Sequence, residues 1–223
     1  MGVLVPARRR GREILDDPGV DPTVRLLSIG DVTASNRLFG GRRAALAELR
    51  AAAPFATLLD VGTGLADIPG ALAPLKVTTI GLDDAHSLLG SARPRLSHAV
   101  CGSAGRLPFR NRSVDVVLCS QLLHHFADDD VSALIAELDR VARKRVIIAD
   151  LRRSWLAAGG FWAASVALRF HPVTRHDGVV SVLRGFTAAE LRRSIADAVG
   201  VEPDVRERLG FRLTASWAPR KPL

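Results

Sequence analysis

The ten residues LLDVGTGLAD, Leu58 to Asp67, set an acid, Asp60, and then two alternate glycines where an apolar run gives way to a helix. Glycines at such a turn let backbone approach a ligand closely, and the helix N-terminus behind them suits a nucleotide-like cofactor. A dinucleotide site reads GxGxxG/A. Gly62 and Gly64 fit its first two places, but Asp67 stands at the third, where a carboxylate would face the phosphates and crowd the helix. That speaks against a diphosphate ligand. About 20 residues past the turn comes Asp83, with Asp84 beside it, and an acid at that distance can accept from both ribose hydroxyls. His124 and His125 follow the run SVDVVLC. An imidazole titrates near neutrality and suits removal of a proton from a bound substrate, with His125 preferred over His124. The stretch HPVTRHDG adds His176 next to Asp177, whose carboxylate could orient the ring.

Those residues need elements to hold them. Short runs apolar on both faces (ATLLDV, VTTIGLD, HAVC, SVDVVLC, RVIIAD) alternate with helix-like segments near 67–75, 85–92 and 130–142. Strands buried on both faces between helix layers imply a parallel sheet, and repeated βα units imply a doubly wound α/β domain. Ahead of it, Asp21-Pro22 starts two short helices near 22–29 and 31–39, and an alanine-rich helix runs over 42–53. Behind it, 155–170 is helical and apolar on most sides, which predicts burial. The segment HPVTRHDGVVSVLRG reads as a loop. Thr187 with Glu190 forms a capping box for a helix to about Val199, and VEPDVRERL and FRLTASW suggest a closing antiparallel hairpin with Gly210 at the turn.

Counted as GxGxG, the turn gives Gly62, Gly64 and Ala66 after Asp60, and so resembles motif I of class I S-adenosylmethionine-dependent methyltransferases. The stretch CGSAGRLPFRNRSVDVVLCSQLLHHF, Cys101 to Phe126, is similar to a segment of the small-molecule members, GDAxxLPFxDxSFDxVxxxxxLHHF. The shared positions are Gly102, Ala104, Leu107-Pro108-Phe109, Ser113, Asp115-Val116-Val117 and Leu123-His124-His125-Phe126. The resemblance implies a Rossmann-like seven-stranded sheet with one antiparallel strand near the C-terminus, a helical N-terminal lid and an inserted cap. It also implies S-adenosyl-L-methionine as cofactor, touched by Asp60, Gly62, Thr63, Gly64, Asp83, Asp84, Ser103, Ala104 and Ser120, with Arg37 of the lid reaching its carboxylate. Ser103 departs from the pattern, which has an aspartate for the adenine amino group there, and a hydroxyl makes a weaker bond. No Asn/Asp/Ser-Pro-Pro-aromatic motif follows the fourth strand, which favours a small-molecule acceptor attacking through oxygen or carbon: aromatic, polyketide-like or quinone-like. A methyltransferase-fold protein with weakened turnover and an RNA-modifying enzyme are the alternatives.

The totals set the outer limits. The chain has 223 residues, enough for one domain: a basic, disordered tail over 1–20, lid helices over 21–54, a cofactor-binding core over 55–152, a cap over 153–186 and a C-terminal helix and hairpin over 187–223. The formal charge is +8, but it is carried almost wholly by arginine, with tyrosine absent and phenylalanines scattered, so no nucleic-acid partner is expected. Arg8, Arg9, Arg10 and Arg12 read as a solvated tail. No apolar stretch is long enough to span a bilayer and no secretory signal is recognisable, so stable membrane insertion is not expected and the cytoplasm is. Cys101 and Cys119 read as buried free thiols. With no CxxC and no His/Cys cluster at ligand spacing, no metal is expected. Oligomeric state is not legible.

Overall fold

The structure is a computed structural model that describes residues 5–9, 11–17 and 19–220. Seven strands form one sheet in the order β3-β2-β1-β4-β5-β7-β6. They are β1 (Thr57–Val61), β2 (Thr78–Asp83), β3 (His98–Cys101), β4 (Val114–Ser120), β5 (Ala142–Leu151), β6 (Asp204–Arg208) and β7 (Arg212–Trp217). The first five run parallel, and β7 pairs antiparallel with both β5 and β6. The strand order therefore reverses between β1 and β4, and open α/β sheets bind their ligands at that switch point, beyond the C-terminal strand ends. The sheet and the closing hairpin, turned at Gly210 with φ +74°, match the expected architecture.

Alternation along the strands divides the core. Leu58, Val116, Leu118 and Ile147 face α2 (Gly41–Ala51) and α3 (Asp67–Gly70), packing on Ala45, Leu49 and Ile68. Their chain neighbours Leu59, Val117 and Ile148 face the other way, onto Leu134 and Leu138 of α5 (Asp128–Val141) and Leu191 and Ile195 of α8 (Ala188–Val199). Such two-sided burial is what makes the runs uniformly apolar in sequence. The Thr187–Glu190 capping box is present, with Thr187 N–H on Glu190 at 2.8 Å and Glu190 N–H on Thr187 Oγ1 at 3.2 Å. Gly200 ends α8 in the left-handed region. A short helix α4 (His86–Ala92) covers β2 and β3.

Several local expectations differ. Residues 22–38 form a single helix, α1 (Pro22–Leu38), capped by Asp21, because Gly30 inside it adopts ordinary helical backbone. The helix expected over 67–75 is only the four residues of α3. The segment read as a loop is a helix, α7 (Pro172–Arg184): Pro172 presets its first turn and the His171 ring accepts from Val173 N–H. Its Gly178 and β-branched residues disfavour helix locally, but packing on α6 (Trp155–Ala167) overrides propensity. α6 itself is not a core helix: Ala157, Ala158 and Ser165 are buried, whereas Trp155, Leu156, Trp162 and Val166 are exposed. Cys119 is buried as expected, but Cys101 is exposed because β3 is an edge strand.

The largest difference lies in the N-terminal segment. Arg10 and residues 1–4 and 18 fall outside the described residues, but 5–9 and 11–17, although mostly exposed, are tied to the fold by hydrogen bonds. Asp177 of α7 accepts from Ile14 N–H at 2.8 Å and Leu15 N–H at 2.9 Å. Arg9 N–H donates to Leu183 O at 3.1 Å, and Glu13 is 6% exposed. No helix among the described residues is long and apolar enough to cross a membrane.

Candidate active site

At the end of β1, Asp60 is buried and accepts from Thr63 Oγ1 at 2.8 Å. Burial drives its carboxyl up to about 7, with Asp83 adding to the rise and the Thr63 bond opposing it. No cation partners it among the described residues. The turn bends through Gly62 at φ +73° and Gly64 at φ +52°. A Cβ on Gly62 would meet Leu122 Cδ2 at 2.9 Å, so that glycine serves packing, whereas the space beside Gly64 is open and can take a ligand. Asp83 closes the turn, accepting from Gly64 N–H at 2.9 Å and Ala85 N–H at 3.0 Å. Burial raises its carboxyl, against those two bonds. Asp84 is exposed, and Ser103 accepts from Gly105 N–H at 3.2 Å, beside partly buried Ala104. Ser120 Oγ, at the end of β4, is buried with no hydrogen-bond partner among the described residues. An orphaned hydroxyl, a buried carboxyl lacking a cation and an open glycine face together fit a small cofactor with an ammonium group.

Arg37 of the N-terminal helix is paired with an acid of the turn. Its guanidinium binds Asp67 through Nε at 2.9 Å and through a second nitrogen, and Arg42 Nε stands 3.1 Å from the other oxygen. The acid at the place of a third glycine thus ties α1 and α2 to the turn.

Beyond β4, a 3-10 turn carries His124 and His125. His124 is 3% exposed, its Nδ1 lies 2.6 Å from Asp150 Oδ1, and its N–H donates to Asp150 Oδ2 at 3.2 Å. Asp150 lies near the C-terminal end of β5, the neighbouring strand, so the dyad follows from parallel pairing. Burial works to raise the Asp150 carboxyl, but His124 and the Leu151 N–H outweigh it and hold it below the usual range. His125 is part exposed, with Nδ1 at 3.1 Å from Asp16 Oδ1 and 3.8 Å from Glu13 Oε2. Arg184 of α7 fixes this turn, donating to His124 O at 3.0 Å and His125 O at 2.6 Å. It also reaches Asp16 at 3.0 Å and Glu13 at 3.4 Å. Burial opposes ionisation of Asp16, yet its bonds from His125 and Arg184 hold the carboxyl well below normal. His176 does pair with Asp177, at 2.8 Å, but that carboxylate's main partners are the N-terminal amides.

Two cavities flank the N-terminal segment. One of about 280 Å³ is lined by His124, His125, Asp16, Arg12 and Arg184. The other, about 460 Å³, lies between α6 and α7 with Trp162, Val179, Val180 and Leu183 as apolar walls and Arg175 and His176 among its polar ones. Arg9 and Gly11 border both. The residues around the histidines that the sequence reading did not single out are Glu13, Asp16, Asp150 and Arg184. For Asp150 a signal exists: an acid at the C-terminal end of a strand adjacent to the one that delivers the histidines.

Residues 59–149 match the sequence profile of a methyltransferase domain. The biotin biosynthesis bifunctional protein BioHC of Cellvibrio japonicus (strain Ueda107) is 34% identical over 111 residues, covering 44% of this chain. The match takes in 22% of that protein, so the chain spans only that share of the relative's length. A SAM-dependent methyltransferase from Aquifex aeolicus superposes with a TM-score of 0.64 at 16% identity, over 90% of this chain and 99% of that one. The magnesium protoporphyrin IX methyltransferase of Synechocystis PCC 6803, solved with bound SAM, gives 0.55 at 14% identity, over 93% and 88%. The fold is that of class I S-adenosylmethionine-dependent methyltransferases.

Proposed function

We propose that this chain transfers a methyl group from S-adenosylmethionine to an oxygen or carbon of a small organic acceptor of aromatic, polyketide-like or quinone-like type. The observation that carries the reading is Asp60, a buried carboxyl without a cation beside a glycine turn that leaves room for a ligand. Asp60, Gly62, Thr63 and Gly64 would receive the methionine part, with the ammonium as the missing cation. Asp83 and Asp84 stand at the ribose position, Ser103 and Ala104 at the adenine, and Ser120 offers the unpaired hydroxyl. Bound there, the cofactor supplies an electrophilic methyl on a sulfonium, and the protein's part is to align an acceptor and exclude water.

The acceptor enters by the cavities beside the N-terminal segment, and its proton leaves at the His124–His125 wall. Asp150 holds the His124 ring with Nδ1 inward, which leaves Nε2 for that task. The apolar walls of Trp162, Val179 and Leu183 suit a flat hydrophobic body. Calorimetry with S-adenosylhomocysteine tests the reading. Binding that Asp60→Asn weakens at least about tenfold supports it, and NADH binding with no response to S-adenosylhomocysteine overturns it.

A further inference from the structure

Arg212 opens β7 and is 6% exposed, yet no hydrogen bond or ion pair reaches its side chain among the described residues. Burial lowers its guanidinium to about 10 against the pull of Asp150, so it is still a cation at neutral pH. A buried charge without a counter-ion is costly. Asp150 is not that counter-ion. Its oxygens take the His124 ring at 2.6 Å and the amides of Leu151 at 2.7 Å and His124 at 3.2 Å. The other acids on the elements around Arg212 are engaged as well: Glu48 of α2 by Arg208 and Thr214, and Asp67 by Arg37 and Arg42.

The sheet register places this cation. Paired residues on neighbouring strands share a face, and residues two apart return to it. Asp60 pairs with Leu118, Ser120 with Ala149 and Leu151 with Arg212, so Asp60, Ser120 and Arg212 stand on one face, the side covered by α2. All three lie at the C-terminal edge of the parallel strands. Arg212 is three strands from β1, about 14 Å across the sheet. The methyl donor belongs at the switch point between β1 and β4, and Arg212 stands well to the acceptor's side of it.

Against Arg212 lies the N-terminus of α2. A Cβ on Gly41, the first residue of that helix, would collide with Asn36 Oδ1 and stand 3.2 Å from Arg212 Nε. The N-cap is Gly40, in the left-handed region, so no side chain caps the first turn. Its amides and the positive end of the helix dipole favour an anion in the same place as the guanidinium. Asn36 Oδ1 is buried and unpaired there too. A bond from Nε to that oxygen would satisfy one N–H and leave the charge, whereas a half-turn of the amide points its N–H groups at an anion.

We infer that Arg212 and the first turn of α2 form a binding site for a carboxylate carried by the methyl acceptor. The guanidinium receives the two oxygens as a fork, which fixes orientation as well as position. An acceptor anchored at that end turns its reactive oxygen or carbon back along the sheet edge, toward Ser120 and the donor. Naming the acceptor rests on the methyltransferase reading; binding of the carboxylate does not.

The test compares the full chain with its Arg212→Met variant and uses two probes of one shape, the phenolic acid salicylate and its neutral amide salicylamide. Thermal unfolding at constant ionic strength reads stability and binding together. Without ligand the variant should melt no lower than wild type, because methionine fills the space and buries no charge. Salicylate at about 20 mM should raise the wild-type midpoint by at least about 2 °C, with salicylamide, or salicylate on the variant, giving less than half of that. A variant that melts more than about 4 °C lower, or fails to fold, has lost a partner within the protein, and this overturns the inference. Equal responses to acid and amide, or an acid response that survives in the variant, overturn it too. A second arm titrates S-adenosylhomocysteine and methylthioadenosine, which lacks the amino-acid end. If Arg212→Met weakens only the former, the carboxylate belongs to the donor and the acceptor assignment falls. Binding of S-adenosylhomocysteine without an acid response leaves the methyltransferase reading standing and removes this site. An Arg212-dependent acid response without S-adenosylhomocysteine binding does the reverse.

Discussion

At the scale of single residues the sharpest feature is the His124–Asp150 dyad, where two ionisable groups are taken out of water and answer to each other. Removing one leaves the other buried without its partner, which costs roughly 3–5 kcal/mol. His124→Ala should therefore lower the stability measured by urea unfolding at pH 7 by about that much, far more than an exposed histidine would. The sign with pH follows from Asp150, whose carboxyl sits below its usual range in the folded chain. Its contribution is present above the unfolded-state pKa of about 3.9 and is lost as pH falls through the folded value. The gap between wild type and variant should thus be full at pH 6–7 and close in strong acid. A gap that persists unchanged to about pH 2 would show that packing, not charge, sets the cost.

At the scale of elements, the question is what holds α6, α7 and the N-terminal segment together over the site. A Cβ on Gly178 would come 2.0 Å from Phe161 Cε1, so α7 can lie against α6 only because that residue is glycine. Gly178→Ala should destabilise by about 1–3 kcal/mol in chemical denaturation, as other overpacked contacts do. Asp177 anchors the segment through two amides, and Asp177→Ala should expose it. Trypsin cleavage after Arg12 should then quicken several-fold with circular dichroism unchanged. An unaltered cleavage rate would show that Arg184 and Glu13 suffice as anchors. These elements were also the least legible in the sequence. The core strands announced themselves because burial on both faces writes an unbroken apolar run, and ATLLDV, SVDVVLC and RVIIAD became β1, β4 and β5. Residues 171–185 carry Gly178 and β-branched residues that argue against helix, and the His171–Pro172 start with packing on α6 decides otherwise. In the N-terminal segment Arg8 and Arg9 look solvated until the fold brings Asp128 and Leu183 to them, as it brings Asp177 to the Ile14 and Leu15 amides. Contacts made over such long sequence separations leave no local pattern, so the Glu13 contacts with Ser181 and Arg184 are invisible in the sequence, whereas Asp60 and Asp83 stand in a local motif.

For the whole molecule, stability and cofactor binding meet in Asp60. A carboxyl raised to about 7 in the folded chain, against 3.8 in its ordinary state, keeps a proton that the unfolded chain has already lost across that interval. Its contribution is fully present below about pH 4 and disappears as pH rises through 7, with a slope of at most about 1.4 kcal/mol per pH unit. Asp60→Asn has no such slope, so the ligand-free variant should gain on wild type in melting temperature as pH goes from 5 to 8. The ligand reverses the preference. An ammonium beside Asp60 favours its charged form, so S-adenosylhomocysteine should bind more tightly to wild type at pH 8 than at pH 5.5, where binding must first expel a proton. The asparagine variant should bind at least about tenfold more weakly at pH 8 and with little pH dependence. Calorimetry in two buffers of different ionisation enthalpy reads the proton directly. If wild type releases none at pH 6, Asp60 does not face the ammonium, and its burial serves the turn at Thr63 alone.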